Sequence, residues 1–195
     1  MCLFGKKNNN DNTKNETVKV EPQKTSSESA NSATFRFESI PTTLEEMQNL
    51  PEATLDTPYK TAALTLCALC VYGKDRETGK TMLNWLRGPY QQPLSPMQIS
   101  FLNDRFMDGQ FYVPYSYFDG AKPENDYTPN VPYTVTISAN PYSFQEGGYA
   151  NLYLRSGGAD SPRSIKMRRA NGVWYLWEQY VMVGIRQPKS QNPWG

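Results

Sequence analysis

The pattern of apolar and polar positions is dominated by a run from Ala62 to Tyr72 in which only Thr65 is polar. Thr57 and Pro58 stand before this run, and an extended threonine followed by proline at the first helical position is typical of a helix start. A helix with apolar residues on every side belongs in the middle of a core. The pattern therefore predicts one central helix, too short to span a bilayer, around which the rest of the chain packs.

Shorter helices are predicted on both sides of the central one. The best start signal is at Ser95, because Pro96 suits the first helical position and Gln98 completes a capping box. Glycine or proline ends each predicted helix. The predicted segments are a helix from Thr43 that stops before Pro51, a helix over 77–87, and a helix from Ser95 to about Met107.

Residues from Phe111 onward are rich in tyrosine, valine, proline and glycine, and they form short runs separated by turn residues. Such runs predict β-strands. Phe35 and Phe37 alternate with charged residues ahead of the first helix, which predicts one more short strand there. The later predicted strands cover residues 111–113, 131–138, 149–155, 163–170 and 173–180.

The dipeptide Asn171-Gly172 predicts a two-residue hairpin turn, because both residues tolerate the positive φ angles that this turn requires. The turn sets the register of the flanking strands and places Ile165 opposite Glu178, on the same side as Met167. We expect that side to face the core. Glu178 would then be a buried carboxylate that forms a structural ion pair with an arginine.

Helices followed by strands indicate the α+β class. We predict a single α+β domain over residues 35–195, in which N-terminal helices pack on a curved antiparallel sheet of four to five strands. By analogy, such a wrapped sheet suggests a cystatin-like or nuclear-transport-factor-like arrangement. Residues 1–34 are mostly Asn, Lys, Glu, Thr and Ser, and they predict a disordered tail because they contain few large apolar side chains to bury.

The charge balance narrows the classes of partner. The chain has 195 residues and a net charge of +1, which argues against a general attraction to nucleic acid or to an anionic membrane. Lys166 and Arg168 nevertheless alternate with aromatic residues across the hairpin, a combination that also binds single-stranded nucleic acid. We favour the alternative, that the cationic stems cover the rings of Tyr175 and Trp177, and expect no nucleic-acid partner.

Cysteine and histidine usage excludes several kinds of site. The chain contains no histidine, so a Ser-His-Asp triad and every histidine-containing zinc site are excluded. Cys67 and Cys70 have the spacing of a metal or redox pair, but such a zinc site needs four ligands and the only other thiol is Cys2 in the predicted tail. Redox use is also disfavoured, because the pair lies far from a helix N-terminus. We expect two small core residues, no metal and no cofactor. The first residues also lack a secretory hydrophobic region, which predicts a cytoplasmic location.

Binding residues are predicted in two loops. One loop is tyrosine-rich and punctuated by proline, and its rings either line a groove or cover the edge of a core. The other is a Gly-rich turn after residue 155, where the missing helix N-terminus argues against phosphate binding. The predicted binding set is Tyr115, Tyr117, Tyr127, Asp160 and Arg163.

Several segments together resemble an uncharacterised family of bacterial proteins catalogued as a domain of unknown function. The resemblance covers about residues 55–195 and is carried most specifically by YVPYSYFDGAKPENDYTP, NPYSFQEGGYANLYLRSGGADSPR and WYLWEQYVMVGIRQPKSQNPWG. It implies a bacterial, cytoplasmic protein. It implies no activity, cofactor or catalytic residue.

Two functions are consistent with these observations. The first is a non-catalytic intracellular binding or scaffold module, whose protein or small-molecule partner contacts the two loops. The second is an enzyme that uses carboxylates and tyrosines in a pocket between the sheet and the helices, with Glu178, Asp104 and Arg105 as its candidate site. An enzyme requires converging titratable groups, whereas a scaffold requires only an exposed apolar patch.

Overall fold

The computed structural model describes residues 31–192 of the chain. The predicted tail of residues 1–34 lies outside the described residues except for its last four positions. Three of those positions belong to strand β1, which covers Ser32–Phe37 and begins before the predicted start at Phe35. The hydroxyl groups of Thr34 and Thr136, 2.9 Å apart, join β1 to the neighbouring strand.

Five α-helices form among the described residues, and four of them begin at or next to the predicted starts. The Thr57 hydroxyl caps the central helix by accepting the N–H of Lys60 at 3.4 Å. The predicted capping box is also present, because the side chains of Ser95 and Gln98 each accept the other's backbone N–H. The helices are α1 (Leu44–Gln48), α2 (Pro58–Lys74), α3 (Arg76–Arg87), α4 (Pro96–Arg105) and α5 (Tyr112–Tyr115).

Helix α2 is buried on all sides, as its sequence predicts. Every residue from Ala62 to Tyr72 is buried, and the Thr65 hydroxyl is satisfied because it donates to the Thr61 carbonyl at 2.7 Å. The helix contacts all five strands of the sheet as well as α3 and α5. Within residues 31–192, neither α2 nor any other helix has the length and apolar character to cross a membrane.

The five strands form one antiparallel sheet whose spatial order follows the chain, and the sheet curls around the helices. Buried side chains such as Val135, Leu152 and Met167 cover its inner face. The predicted α+β class with a curved antiparallel sheet is confirmed. After β1 the strands are β2 (Tyr133–Ser138), β3 (Tyr149–Leu154), β4 (Arg163–Ala170) and β5 (Val173–Gln179).

The strand predicted at residues 111–113 is wrong. This segment leads into α5, a single turn in which the Ser116 N–H donates to the Tyr112 carbonyl at 3.0 Å. A run of three apolar residues fits a helical turn and a strand equally well. Tyr112 and Val113 are buried in the main core and α5 contacts α2, so packing against that helix decided the structure.

The sheet opens between β2 and β3, which pair at only two positions. Residues 116–130, here termed the aromatic loop, close the opening with backbone hydrogen bonds to both sides. Asp119 donates its N–H to the Thr134 carbonyl of β2 at 2.8 Å. Gly157, just after β3, donates to the Ser116 carbonyl at 2.9 Å. The aromatic loop is therefore part of the wall around the core.

The β4–β5 hairpin has the predicted turn and, close to the turn, the predicted register. Asn171 and Gly172 have φ angles of 50° and 82°, both in the region that the turn requires. Met167 pairs with Leu176, as expected. Beyond this pair a β-bulge changes the register of the two strands.

The bulge overturns the predicted burial of Glu178. Lys166 pairs with Glu178 and Ile165 pairs with Gln179, so Trp177 is the extra residue in β5. An extra residue in one strand reverses the faces of the residues that follow it. Glu178 is exposed and accepts a hydrogen bond from the Tyr180 hydroxyl at 3.0 Å. The predicted core position, and the structural ion pair argued from it, are wrong.

Gly79 allows α3 to approach α2 closely, and its replacement tests this packing. A Cβ at Gly79 would lie 2.3 Å from the Cα of Tyr72. Glycine to alanine normally stabilises a helix by about 0.8–1 kcal/mol, but overpacking against backbone costs about 1–3 kcal/mol. We expect Gly79→Ala to destabilise the protein in denaturant unfolding, and the exposed Thr81→Ala on the same helix to have little effect. A gain in stability for Gly79→Ala would contradict this close helix contact.

Candidate functional site

Two of the predicted binding residues, Tyr117 and Tyr127, are buried and hold the C-terminal segment in place. The Tyr117 hydroxyl donates to the Val181 carbonyl at 2.6 Å, and the Tyr127 hydroxyl donates to the Arg186 carbonyl at 2.8 Å. Burial raises the pKa of both phenols, that of Tyr127 to about 12. With exposures of 3% and 2%, neither side chain offers a surface to a partner.

Asp160 and Arg163 hold the same segment from the Gly-rich turn. Arg163 donates from Nε to the Val183 carbonyl at 2.8 Å and from Nη2 to the Gly184 carbonyl at 2.7 Å. Asp160 forms an ion pair with Arg186, with 2.7 Å between Oδ1 and Nη1. The side chains of this turn therefore bind the backbone and one side chain of the residues that follow β5.

Tyr115, the fifth predicted binding residue, lies half-buried at the end of α5. The ammonium group of Lys74 is 5.4 Å from the centroid of its ring. Burial raises the pKa of the Tyr115 phenol above its usual value. The five residues thus have structural contacts that explain their positions, and a role for them in binding stays a prediction.

The alternative site of Glu178, Asp104 and Arg105 is not assembled around one cavity. Glu178 lies on β5, whereas Asp104 and Arg105 lie at the end of α4, where Asp104 is exposed. The Arg105 guanidinium is 4.9 Å from the centroid of the Phe101 ring, and its Nε is buried without a hydrogen-bond partner among residues 31–192. Of the three residues, only Glu178 lines the cavity between β5 and the helices.

That cavity has a volume of about 220 Å³ and lies between the end of β5 and helices α2, α3 and α4. Its wall is mainly apolar, and each helix contributes a buried leucine: Leu69 from α2, Leu83 from α3 and Leu102 from α4. Apolar walls with a few placed polar groups are typical of sites for small ligands. The wall is completed by apolar residues that include Leu94, Phe101 and Leu176, and by the polar residues Gln98, Glu178 and Gln179.

Arg87 brings a positive charge to this apolar wall. It lies in the last turn of α3 and is 9% exposed. Its Nε donates to the Gln92 carbonyl at 3.1 Å, while its two terminal nitrogens have no hydrogen-bond or ion-pair partner among residues 31–192. Burial lowers the pKa of the guanidinium.

Arg87 was not among the residues predicted from the sequence. A signal for it exists, because Arg87 follows Leu83 by four residues and so lies on the same face of α3. A charged residue within an apolar face is either paired or available to a ligand. The spacing of apolar residues indicates the core face of α3, but it does not show by itself that the charge in the last turn is buried.

A second cavity of about 200 Å³ lies on the other side of Arg87, between the end of α3 and the hairpin. Of the described residues, Arg87 alone lines both cavities. Arg168 and Arg169 also line the second cavity, and its described lining contains no carboxylate. Arg87 therefore lies between an apolar space and one that is lined by other arginines.

Basic and aromatic side chains meet on the outer face of the hairpin, at the positions that resemble a site for single-stranded nucleic acid. Lys166 Nζ is 4.5 Å from the centroid of the Tyr149 ring, and the Arg168 guanidinium is 4.8 Å from that of Trp177. Lys166 also forms an ion pair with Glu146 at 2.8 Å. These contacts favour cationic side chains that cover the outer rings.

Cys67 and Cys70 are buried, unpaired thiols of α2. Burial raises the pKa of both thiols well above the usual value. Among residues 31–192, no group of three or more cysteine and carboxylate side chains could hold a metal ion. The surroundings of both cysteines are those of core residues.

Comparison with protein families finds a model that matches residues 39–189 and is described as "Domain of unknown function (DUF6935)". The match spans more than half of the chain. The chain belongs to this family. Membership confirms the resemblance seen in the sequence and extends it toward the N-terminus. No curated protein and no solved structure matches the chain, so the cystatin-like or nuclear-transport-factor-like arrangement stays a prediction.

Cys67 and Cys70 are expected to resist thiol reagents while the protein is folded, because a buried thiol with a raised pKa forms little thiolate. The test uses Cys2→Ser, which removes the third cysteine of the chain. At mildly alkaline pH we expect dithiobis(nitrobenzoate) to release no colour rapidly from this variant, and to react with both thiols once denaturant is added. Rapid reaction of the folded variant would show that α2 is accessible.

Proposed function

We propose that this domain is a non-catalytic binding module whose ligand occupies the apolar cavity between β5 and helices α3 and α4. The observation that carries the proposal is the combination of an apolar wall with Arg87, a largely buried residue whose terminal nitrogens have no protein partner in the described chain and are not completely buried. A purely structural space of this kind would gain stability from closer packing of its leucines. A ligand that fills the cavity supplies the missing contacts.

The alternative, an enzyme site in the same place, has less support. Catalysis by carboxylates and tyrosines requires titratable groups within hydrogen-bond reach of the reacting atoms. Glu178 is the one carboxylate in the described lining of the cavity, and it is exposed and already accepts the Tyr180 hydroxyl. Asp104 and Arg105 lie outside that lining.

We also propose that the protein functions in the bacterial cytoplasm. The support is the pair of unpaired thiols, Cys67 and Cys70, which agrees with a reducing compartment. Family membership leaves the organism and the compartment open, and the resemblance found in the sequence is the support for a bacterial source.

The binding proposal is tested with a screen of small apolar fragments against the full chain, read out by ligand-observed NMR. Leu94→Trp replaces a half-buried leucine of the cavity wall with a bulky indole ring, which should fill part of the cavity. Tyr142→Trp adds the same ring outside the cavity lining, at a side chain that is 71% exposed, and is the matched control. We expect fragments to bind the wild type and the control alike, and to bind Leu94→Trp at least about tenfold more weakly.

Two results would contradict the binding proposal. One is that no fragment binds the wild type at any concentration compatible with solubility. The other is that fragments bind Leu94→Trp as tightly as the control, which would place the bound fragments elsewhere on the protein. Melting temperatures of the three proteins show whether Leu94→Trp is folded, and a reverse variant, Leu94→Ala, is expected to keep binding because it enlarges the cavity.

A further inference from the structure

Arg87 is a largely buried charged residue that forms no ion pair with any described residue. Removing an ion from water is costly unless the ion is paired, and buried charges in proteins are usually paired for this reason. The ion pairs Lys60–Asp56 and Arg186–Asp160 show the ordinary case, because each involves side chains that keep contact with water. The lowered pKa of the Arg87 guanidinium reflects the same cost of burial.

The one hydrogen bond that the Arg87 side chain makes with the described residues does not require a guanidinium. Arginine carries five N–H donors. Arg87 uses the donor on Nε, which bonds to the Gln92 carbonyl at 3.1 Å. The four donors on Nη1 and Nη2 have no partner among the described residues, and neither nitrogen is completely buried, so a ligand can reach both. These four are the donors that form the planar fork which matches a carboxylate or a phosphate.

The charges around Arg87 favour an anion with a single negative charge. Arg168 lines the second cavity and adds a second positive charge on that side of Arg87. Glu178 lines the apolar cavity and accepts a hydrogen bond from the Tyr180 hydroxyl. Its negative charge opposes a second negative charge on a ligand in the same space.

The size and wall of the apolar cavity limit the rest of the ligand. Its volume of about 220 Å³ is below the roughly 300–1,000 Å³ that is typical of sites for drug-sized molecules. The leucines of α2, α3 and α4 supply no hydrogen bonds to that space. An aromatic ring or a short alkyl chain therefore suits the cavity better than a sugar or a nucleotide.

We infer that the ligand of the apolar cavity is a small monocarboxylate, whose carboxylate binds the terminal nitrogens of Arg87 and whose apolar tail contacts Leu83, Leu102 and Leu176. This inference rests on the proposed binding function and names the chemistry of its ligand. A short aryl or alkyl carboxylic acid is the class that fits, and the corresponding amide, which has the same shape without the charge, is the natural comparison.

The experiment is a titration of matched acids and amides against the full chain by calorimetry. The pairs are benzoate and benzamide, phenylacetate and phenylacetamide, 3-phenylpropionate and 3-phenylpropionamide, and hexanoate and hexanamide. Acetate, which has no apolar tail to bury, is included to measure general attraction of an anion. For the pair whose tail fits best, we expect the acid to bind at least about tenfold more tightly than the amide, because hydrogen bonds to charged groups exceed neutral ones by that factor.

Three variants test whether Arg87 causes the preference for acids over amides. In Arg87→Met we expect the affinity of the acid to fall about tenfold or more to that of the amide, while the affinity of the amide stays within about twofold. Arg87→Lys keeps the charge without the fork and should retain part of the preference. Arg76→Met removes an equal charge from the exposed first turn of the same helix and should change neither affinity.

The outcomes separate this inference from the proposed function. If the amides bind the wild type as tightly as the acids, or if Arg87→Met keeps the preference for acids, the inference is overturned while the binding function stands. If no compound of either series binds, the proposed function fails together with the inference. Melting curves of every variant accompany the titrations, and Arg87→Lys keeps the test valid if Arg87→Met does not fold.

Discussion

The burial of helix α2 on every side is the constraint on which the rest of the structure depends. A helix with apolar residues all round cannot lie on a flat sheet, because its far side would remain in water, where each exposed Leu or Val side chain forfeits about 1.5–3 kcal/mol. The sheet therefore curls so that all five strands contact α2, and α3 and α5 cover the remaining sides. The polar groups of α2 are satisfied within this enclosure: the Thr61 hydroxyl donates to the Trp174 carbonyl of β5 at 2.8 Å.

Curling separates β2 from β3, and the repair of that opening explains the tyrosine-rich part of the chain. Backbone groups beside a core need hydrogen-bond partners. In the aromatic loop, Asp119 donates its N–H to the Thr134 carbonyl of β2, and the Ser116 carbonyl accepts the N–H of Gly157. Buried hydroxyls complete the connection, with Ser156 Oγ and Ser116 Oγ 2.7 Å apart. The tyrosines of this loop then hold the segment after β5, which is why residues that looked available for binding in the sequence are enclosed in the structure.

The cavity is formed where β5 departs from regular pairing. The bulge at Trp177 changes the face of every later residue in the strand and so brings Glu178 and Gln179 to the edge of an apolar space. Bulges often occur next to functional sites because they redirect side chains. Gln91 joins the end of α3 to β5 by donating from Nε2 to the carbonyls of both Arg87 and Leu176, at 3.2 and 2.7 Å. The position of Arg87 beside the cavity thus follows from contacts between the end of α3 and β5.

Local features of the sequence determined the elements of this protein: the apolar run of α2, the capping box at Ser95 and the Asn171-Gly172 turn each depend on neighbouring residues, and each formed as predicted. Tertiary structure decided whatever depended on distant packing. It made residues 112–115 a helical turn against α2, and it inserted the bulge that exposed Glu178. It also placed Arg87 between two cavities, because that position requires α3, α4 and β5 to meet. A sequence shows the period of a side chain along its own element, whereas a cavity belongs to several elements whose separation no local pattern records.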